Sequence, residues 1–166
     1  MGLIINACFD QIVPSEDSFD EAMLARVIYF KERGIEMLPP AVRLNSSRKY
    51  THLDGRHRLI ASYLYGIMAP ELYLVMSQED LFGGVIGHKE EVNLTNSIIF
   101  SRWECADYSS KGISVSNYHE HMKRLRNTHP FLESLEECKK KFRNSSLLIS
   151  LDWSLNAVPI KELFSS

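Results

Sequence analysis

The chain has few cysteines, no long apolar run and almost no net charge, and each shortage excludes a class of protein. Its three cysteines, Cys8, Cys105 and Cys138, form no C-x-x-C pair, which excludes a disulfide-stapled secreted scaffold. No stretch approaches the roughly 18 apolar residues of a membrane span. A formal net charge of −2 excludes a globally basic nucleic-acid-binding protein, so such binding would need a local patch.

The remaining composition is that of an ordinary globular protein. The 166 residues are 45% hydrophobic and 24% charged, enough for one domain with its own core. Residues 1–7 are apolar, but they lack a basic flank and soon meet Asp10, so we expect no signal peptide. We therefore expect a soluble cytoplasmic protein.

The first 34 residues predict a strand and then a helix. Apolar and polar residues alternate weakly over residues 3–9, which favours a strand. Ser18 followed by Glu21 fits a capping box at the start of the helix. Gly34 marks its end. The predicted apolar face consists of residues at spacings of four, four and three: Phe19, Met23, Val27 and Phe30.

A hairpin, a second helix and a further strand follow. Residues 41–44 and 50–53 favour paired strands around an Asn-Ser-Ser turn. Apolar residues then recur at helical spacing until Gly66, and residues 71–76 favour a strand. The order of strands and helices predicts an α/β (α+β) fold.

The pattern is weaker after residue 76. Residues 78–82 favour a short helix, whereas residues 93–102 fit a helix and a strand equally. Residues 114–126 and 131–143 predict helices on either side of a proline. Residues 147–151 fit a last strand or an apolar packing tail. This half of the chain is therefore predicted to be mainly helical.

The residues that carry chemistry lie where the second hairpin strand meets the next helix. Gly55, Arg56, His57 and Arg58 occupy four consecutive positions. A helix start presents free N–H groups and a positive dipole end to an anion, and glycine lets a ligand approach the backbone. Arginine matches phosphate oxygens, and histidine donates or titrates near neutral pH. The corner predicts a phosphate site, although His57 alone also fits a half-buried structural histidine.

Local charge supports this prediction. Five Lys and Arg residues face one acid, Asp54, between residues 43 and 58. Arg43, Arg48 and Lys49 belong to the hairpin that precedes the corner. We therefore expect a basic patch for a nucleotide or DNA. Asp54 has two open roles, as the N-cap of the helix or as a catalytic carboxylate.

Residues 54–59, Asp-Gly-Arg-His-Arg-Leu, resemble the signature of the ParB/sulfiredoxin superfamily. Its members carry Gly-x-(His/Arg)-Arg at the start of a helix that follows a hairpin strand. The order of elements agrees over residues 3–76, including the Gly34 stop and the strand that begins Pro-Pro-Ala-Val-Arg at residue 39. The resemblance implies a small mixed sheet with flanking helices. It also implies a nucleotide-binding unit in residues 1–90, on which residues 91–166 pack as a helical extension of the same domain.

The positions at which the chain departs from the family pattern indicate which branch of the superfamily it resembles. Sulfiredoxins place a catalytic cysteine where this chain has Arg56. Segregation-type ParB proteins carry a Glu-Asn-x-x-Arg box and further domains, for which 166 residues leave little room. The chain is more similar to stand-alone ParB-like proteins of plasmids and phages, including plasmid fertility-inhibition proteins. This branch implies a hydrolase with ATPase and DNase activity that interferes with DNA transfer for a mobile element.

The resemblance also implies roles for particular residues. ATP, the favoured nucleoside triphosphate, would lie on the Gly55–Arg58 loop, helped by Arg43 and Lys49. Asp54 and Glu36 would hold Mg²⁺, with Glu32 as an alternative to Glu36. The implied catalytic residues are Asp54, Arg56, His57 and Arg58.

Three other functions fit the same residues. The corner could hold DNA or a nucleotide without turnover, in which case binding would fall with salt. An ATP-dependent kinase of the same fold is the second possibility. The third is a protein-interaction role for the helical C-terminal half.

The remaining chemical side chains favour ordinary structural roles. His119 and His121 diverge by about 200° on a helix, which disfavours a shared metal. The basic runs at residues 123–126 and 139–143 favour solvated helix faces over a DNA track. Tyr118 and Phe142 fit either stacking beside those charges or the core, and both tryptophans, Trp103 and Trp153, favour packing.

Overall fold

Five short strands of the N-terminal half form one mixed sheet in the computed structural model, which describes residues 3–76, 115–151 and 156–165. They are β1 (Leu3–Asn6), β2 (Ile12–Val13), β3 (Ala41–Leu44), β4 (Tyr50–Asp54) and β5 (Glu71–Leu74). Their spatial order is β1-β5-β3-β4-β2. The β3–β4 pair is antiparallel, which confirms the predicted hairpin, and β3 pairs with β5 in parallel.

Helices flank this sheet and form most of the described part of the second half. They are α1 (Glu21–Glu32), α2 (Arg56–Leu64), α3 (Tyr118–Thr128), α4 (Leu135–Arg143) and the short α5 (Ile160–Phe164). Strands β6 (Leu148–Ser150) and β7 (Ala157–Pro159) pair as a separate antiparallel hairpin. The predicted mixed α/β fold with C-terminal helices is therefore confirmed. Of the two alternatives for residues 147–151, a last strand or a packing tail, the strand is observed as β6, although β7 follows it.

Both halves contribute to one hydrophobic core. Ile28 from α1 and Leu59 from α2 are fully buried in the same cluster as Met122 from α3 and Phe142 from α4. Their burial removes apolar surface from water, which is the main favourable term in folding. The helical second half thus packs on the sheet unit. The boundary expected between residues 90 and 91 lies outside the described residues and stays a prediction.

The start and the buried face of α1 differ from the prediction. Asp20, not Ser18, is the N-cap, and its Oδ1 accepts the backbone N–H of Met23 at 2.9 Å. Met23 is 41% exposed, so the predicted face is rotated from the true one. The buried face consists of Leu24, Ala25, Val27 and Ile28. Tertiary packing against α2 selected this stripe from two overlapping apolar patterns.

The helix expected over residues 131–143 is also divided. Pro130–Glu133 forms a 3-10 turn, and α4 begins only after Ser134. Ser134 has an extended backbone with φ of −152°, and its Oγ accepts the N–H of Glu137 at 3.1 Å. A serine in this conformation caps a new helix, because its side chain satisfies one of the free donors of the first turn.

Several predictions concern residues outside the described ranges. They include the elements expected at 78–82 and 93–102, and the packing roles of Trp103 and Trp153. Among the described residues, no helix has the length and apolar character that crossing a membrane requires.

Candidate functional site

Gly55 makes the corner between β4 and α2. It is the N-cap of α2 and has a left-handed backbone, with φ of 98° and ψ of 28°. A Cβ at this position would lie 2.9 Å from both Cα and Cβ of Pro40, and 3.1 Å from Nη2 of Arg58. Such a contact with backbone is closer than packed atoms tolerate, so residue 55 must be glycine. Because glycine has no side chain, the N-cap residue of α2 gives no side-chain hydrogen bond to the first turn.

Asp54 and Arg58 hold each other beside this glycine. Arg58 Nη2 lies 3.4 Å from Asp54 Oδ2, and Arg58 Nη1 donates to the carbonyl oxygen of Leu38. The two side chains are only 16% and 18% exposed, so their attraction is less screened than at the surface. Asp54 is the last residue of β4 and does not cap α2. Of the two roles open to it, the cap is therefore excluded.

A groove of about 460 Å³ lies on the Arg58 side of the corner. This volume is within the usual range for small-molecule sites. Glu36 from the α1–β3 connection and Lys31 from α1 line it together with Arg58. The structure thus brings together Arg58 and Glu36, a predicted phosphate ligand and a predicted metal ligand. Other groove residues are Asn6, Pro40 and Glu71.

Glu32, the alternative metal ligand, is engaged elsewhere. Its carboxylate pairs with Lys139 of α4 and accepts the hydroxyl hydrogen of Tyr65 at 2.9 Å. The hydrogen bond from Lys139 holds the pKa of Glu32 below its usual value. Glu32 therefore ties α1 to α4 and does not line the groove, and it is withdrawn as a metal ligand.

Arg56 points away from Arg58. Residues two apart on a helix diverge by about 200°, and Nη1 of Arg56 pairs with the carboxylate of Glu16. Glu16 belongs to residues 14–20, the connection between β2 and α1, which we call the strap. The prediction that both arginines face one ligand position is therefore not met by their side chains in this state. Nothing in the sequence spacing of the strap acids points to Arg56, so sequence reasoning misses this pair.

His57 is a neutral hydrogen-bond acceptor. Its Nε2 accepts the backbone N–H of Asp20 in the strap at 2.9 Å. Burial, and next the nearby charge of Arg56, lower its pKa from 6.5 to about 4. The prediction that His57 titrates near neutral pH is wrong, since desolvation disfavours the imidazolium form. The alternative of a half-buried structural histidine describes it better.

The strap makes further polar contacts with α3. Asp17 Oδ2 accepts a hydrogen bond from Arg124 Nη2 at 2.9 Å, and Asp17 Oδ1 lies 3.9 Å from Nδ1 of the buried His121. Burial lowers the pKa of His121 to about 4. The strap therefore contacts the start of α2 through Asp20. It contacts α3 through Asp17, which lies near the exposed Arg124 and the buried His121.

Arg43 and Lys49, the two hairpin cations predicted to help hold ATP, do not line the groove. Lys49 Nζ donates to the carbonyl oxygen of Ser116, just before α3, at 2.9 Å. Arg43 is half-buried in β3, in register with Thr51 of β4. Lys49 thus anchors the turn of the hairpin to the helical half. Its predicted role in nucleotide binding gains no geometric support.

The acidic side chains fit Mg²⁺ only in part. Asp54 faces Arg58, and Glu36 is exposed at the groove. Within residues 3–76, 115–151 and 156–165, no three His, Cys, Asp or Glu side chains gather as a metal site. Mg²⁺ prefers several oxygen ligands and keeps waters, so phosphate oxygens would have to complete its coordination here.

The other candidate residues make contacts that belong to the fold. His119 and His121 diverge on α3 as predicted: His119 Nδ1 lies 3.0 Å from the Tyr63 hydroxyl, whereas His121 is buried. Arg126 Nε donates to the Leu132 carbonyl oxygen at 2.9 Å, as part of the fold rather than of a DNA track. Tyr118 belongs to the core.

No protein-family model matches the chain, and no curated protein matches it at a significant level. The ParB/sulfiredoxin resemblance therefore rests on residues 54–59 and on the order of elements over residues 3–76. It stays a prediction.

Proposed function

We propose that the corner formed by Gly55 and Arg58 binds the phosphates of a nucleoside triphosphate, with ATP favoured, and that the protein hydrolyses it. DNase activity, with DNA held by the local basic residues, is the second part of the proposal. The setting we propose is a ParB-like protein of a plasmid or another mobile element, acting in the cytoplasm against DNA transfer. These activities come from the resemblance, and the geometry supports the phosphate-binding step.

The single observation that carries the proposal is the Gly55 corner over Arg58. The close approach of Pro40 requires a glycine, and this N-cap residue has no side chain to hydrogen-bond the first turn of α2. First-turn N–H groups and the helix dipole favour an anion there. Arg58, held between Leu38 and Asp54, adds a positioned positive charge at the groove. Together they offer a preorganised place for phosphate oxygens.

Hydrolysis needs little more from the protein than position and charge. Phosphoryl transfer is accelerated mainly by alignment and by stabilising charge on the phosphate oxygens. Arg58 supplies that charge, and Asp54 fixes its guanidinium. Glu36 is the groove carboxylate that could hold Mg²⁺ together with the phosphates, while the metal would polarise the phosphoryl group. His57 stays neutral at pH 7, so it contributes no general acid.

A binding module without turnover is the second candidate. It is favoured by the ion pair of Asp54 with Arg58, which makes Asp54 a positioning partner of the arginine rather than a catalytic carboxylate. This protein would hold ATP or DNA through the same corner. Its affinity would fall with added salt because phosphate contacts release counterions.

The test is ATP binding and phosphate release with Mg²⁺, compared between wild type, Arg58→Ala and Arg143→Ala. Arg143 lies on α4 and donates to the Phe164 carbonyl oxygen, so its variant is a matched control for loss of one arginine. We expect Arg58→Ala to weaken ATP binding about tenfold or more and to remove phosphate release and plasmid nicking. Calorimetry gives the dissociation constant, and circular dichroism checks that each variant is folded.

Each outcome separates the candidates. Binding that depends on Arg58 without phosphate release supports the binding module. Equal activity in wild type and Arg58→Ala would refute the assignment of this corner.

A further inference from the structure

The strap places a carboxylate on Arg56. Glu16 Oε2 pairs with Arg56 Nη1, and their side chains are 35% and 24% exposed. Carboxylates and phosphates accept hydrogen bonds from the same guanidinium donors. The position on Arg56 that a phosphate would take is therefore already occupied by an anion of the chain itself.

A second polar group lies next to the two histidines that the strap contacts. The Tyr118 side chain is 0% exposed, and its hydroxyl has no hydrogen-bond partner among the described residues. The Tyr118 ring lies 6.4 Å from the ring of His52 and 5.0 Å from that of His121. These two histidines contact Ser15 and Asp17, the neighbours of Glu16 in the strap, and the Arg56 charge opposes the rise that burial causes in the pKa of Tyr118. A buried hydroxyl without a partner is costly. A ligand oxygen that reached it would remove that cost.

The strap is held mainly by polar contacts that water or a ligand can replace. Ser15 N–H donates to His52 Nδ1 at 3.3 Å, Asp17 pairs with Arg124, and Asp20 N–H donates to His57. Asp17 and Asp20 are exposed. The aromatic anchor is Phe19, whose ring lies 4.7 Å from that of His129. With three acids and no base in seven residues, the strap is the anionic partner of the basic corner.

We propose that Arg56 and the Tyr118 hydroxyl form a second anion subsite, which takes a phosphate group of the bound nucleotide when the strap opens. Glu16 closes this subsite in the unliganded protein by acting as an internal competitor. The inference rests on the proposed function, since it assigns a nucleotide phosphate to the other flank of α2. It predicts that ligand binding and strap opening are coupled, because both compete for one guanidinium.

Two variants test the subsite by changing ATP affinity in opposite directions. Glu16→Gln removes the competing charge and should tighten ATP binding about three- to tenfold. Tyr118→Phe removes the hydroxyl without changing the ring and should weaken ATP binding by a similar factor, with a melting temperature equal to or above that of wild type. Titration calorimetry with ATP, and with inorganic phosphate as a second probe, gives both affinities.

The matched controls change side chains whose partners are neither strap residues nor Arg56. Glu21→Gln neutralises an acid that lies 3.8 Å from Lys141, and Tyr65→Phe removes a tyrosine hydroxyl that binds Glu32. Both should bind ATP like wild type. These controls separate an effect at Arg56 from a general effect of charge or of a lost hydroxyl.

The outcomes distinguish this inference from the proposed function. ATP binding that depends on Arg58 but is unchanged by both Glu16→Gln and Tyr118→Phe would overturn the second subsite alone. Weaker binding in Glu16→Gln would also overturn it, because Glu16 would then help to hold the ligand. If neither wild type nor Glu16→Gln binds ATP, the proposed function itself is refuted.

Discussion

The two flanks of the α2 N-terminus carry one arginine each but differ in what surrounds it. On one flank Arg58 is fixed by Asp54 and Leu38 and lines an open groove. On the other flank Arg56 is covered by the strap through Glu16. The difference shows that a short basic motif does not define one site. A helix turns about 200° over two residues, so neighbouring arginines reach different parts of the fold.

Gly55→Ala is the change that should most strongly break the Arg58 flank. Its Cβ would meet the backbone of Pro40 at 2.9 Å in a left-handed conformation, so we expect a loss of about 2–4 kcal/mol in the free energy of unfolding. Urea denaturation measures it. Gly34→Ala is the matched control, because Gly34 has φ of 68° but nothing within 4 Å of an added Cβ; it should cost about 1 kcal/mol. Equal losses would mean that Pro40 moves aside.

Lowering the pH should weaken the contacts of the strap with His57 and His121 before it weakens the contacts of Arg58. The pKa of His57 and of His121 is lowered from 6.5 to about 4, so between these values the unfolded chain binds protons that the folded chain excludes. Stability is complete above pH 6.5 and falls as the pH drops toward 4. We expect a loss of roughly 2 kcal/mol for each of the two histidines between pH 7 and pH 5.

Burial fixes the sign of this effect for both histidines, because desolvation disfavours the charged imidazolium. Arg56 and Arg58 lower the pKa of His57 further and Asp20 opposes them, whereas at His121 the opposing effect of Asp17 is larger than the lowering by Arg124. Urea denaturation at several pH values measures the slope, and His57→Gln should reduce it. An unchanged slope in His57→Gln would show that this histidine already titrates normally.

The smallest effect concerns the junction of the strap with α1. Asp20→Ala removes the side-chain cap on Met23 N–H but keeps the backbone N–H that binds His57. We expect a loss of about 1 kcal/mol. Ser18→Ala should change stability by less than about 0.5 kcal/mol, because Ser18 lies outside the helix. Thermal unfolding of both variants compares the two caps, and a larger cost for Ser18→Ala would restore the original capping box.

Much of the N-terminal half was predictable from local chemistry. Strand β3 and the end of α2 before Gly66 agree with their predicted bounds, because turn residues and glycine stops act over a few positions. The stripe of α1 that is buried was not predictable, since two apolar patterns overlap there and packing on α2 selects one. Strand β2 has only two residues, Ile12 and Val13, which is too short to leave a periodic signal.

The sequence itself determined the low cysteine content, the lack of a long apolar run, the low net charge and the basic corner. Composition excluded a disulfide scaffold, and the residues Gly-Arg-His-Arg marked the strand-to-helix corner. Only the tertiary structure decided that Arg58 and Glu36 share a groove, that Glu32 belongs to Lys139, and that Glu16 lies on Arg56. The physical reason is that residue type and spacing fix local backbone and charge, whereas side-chain partners more than a few turns apart depend on how the elements pack.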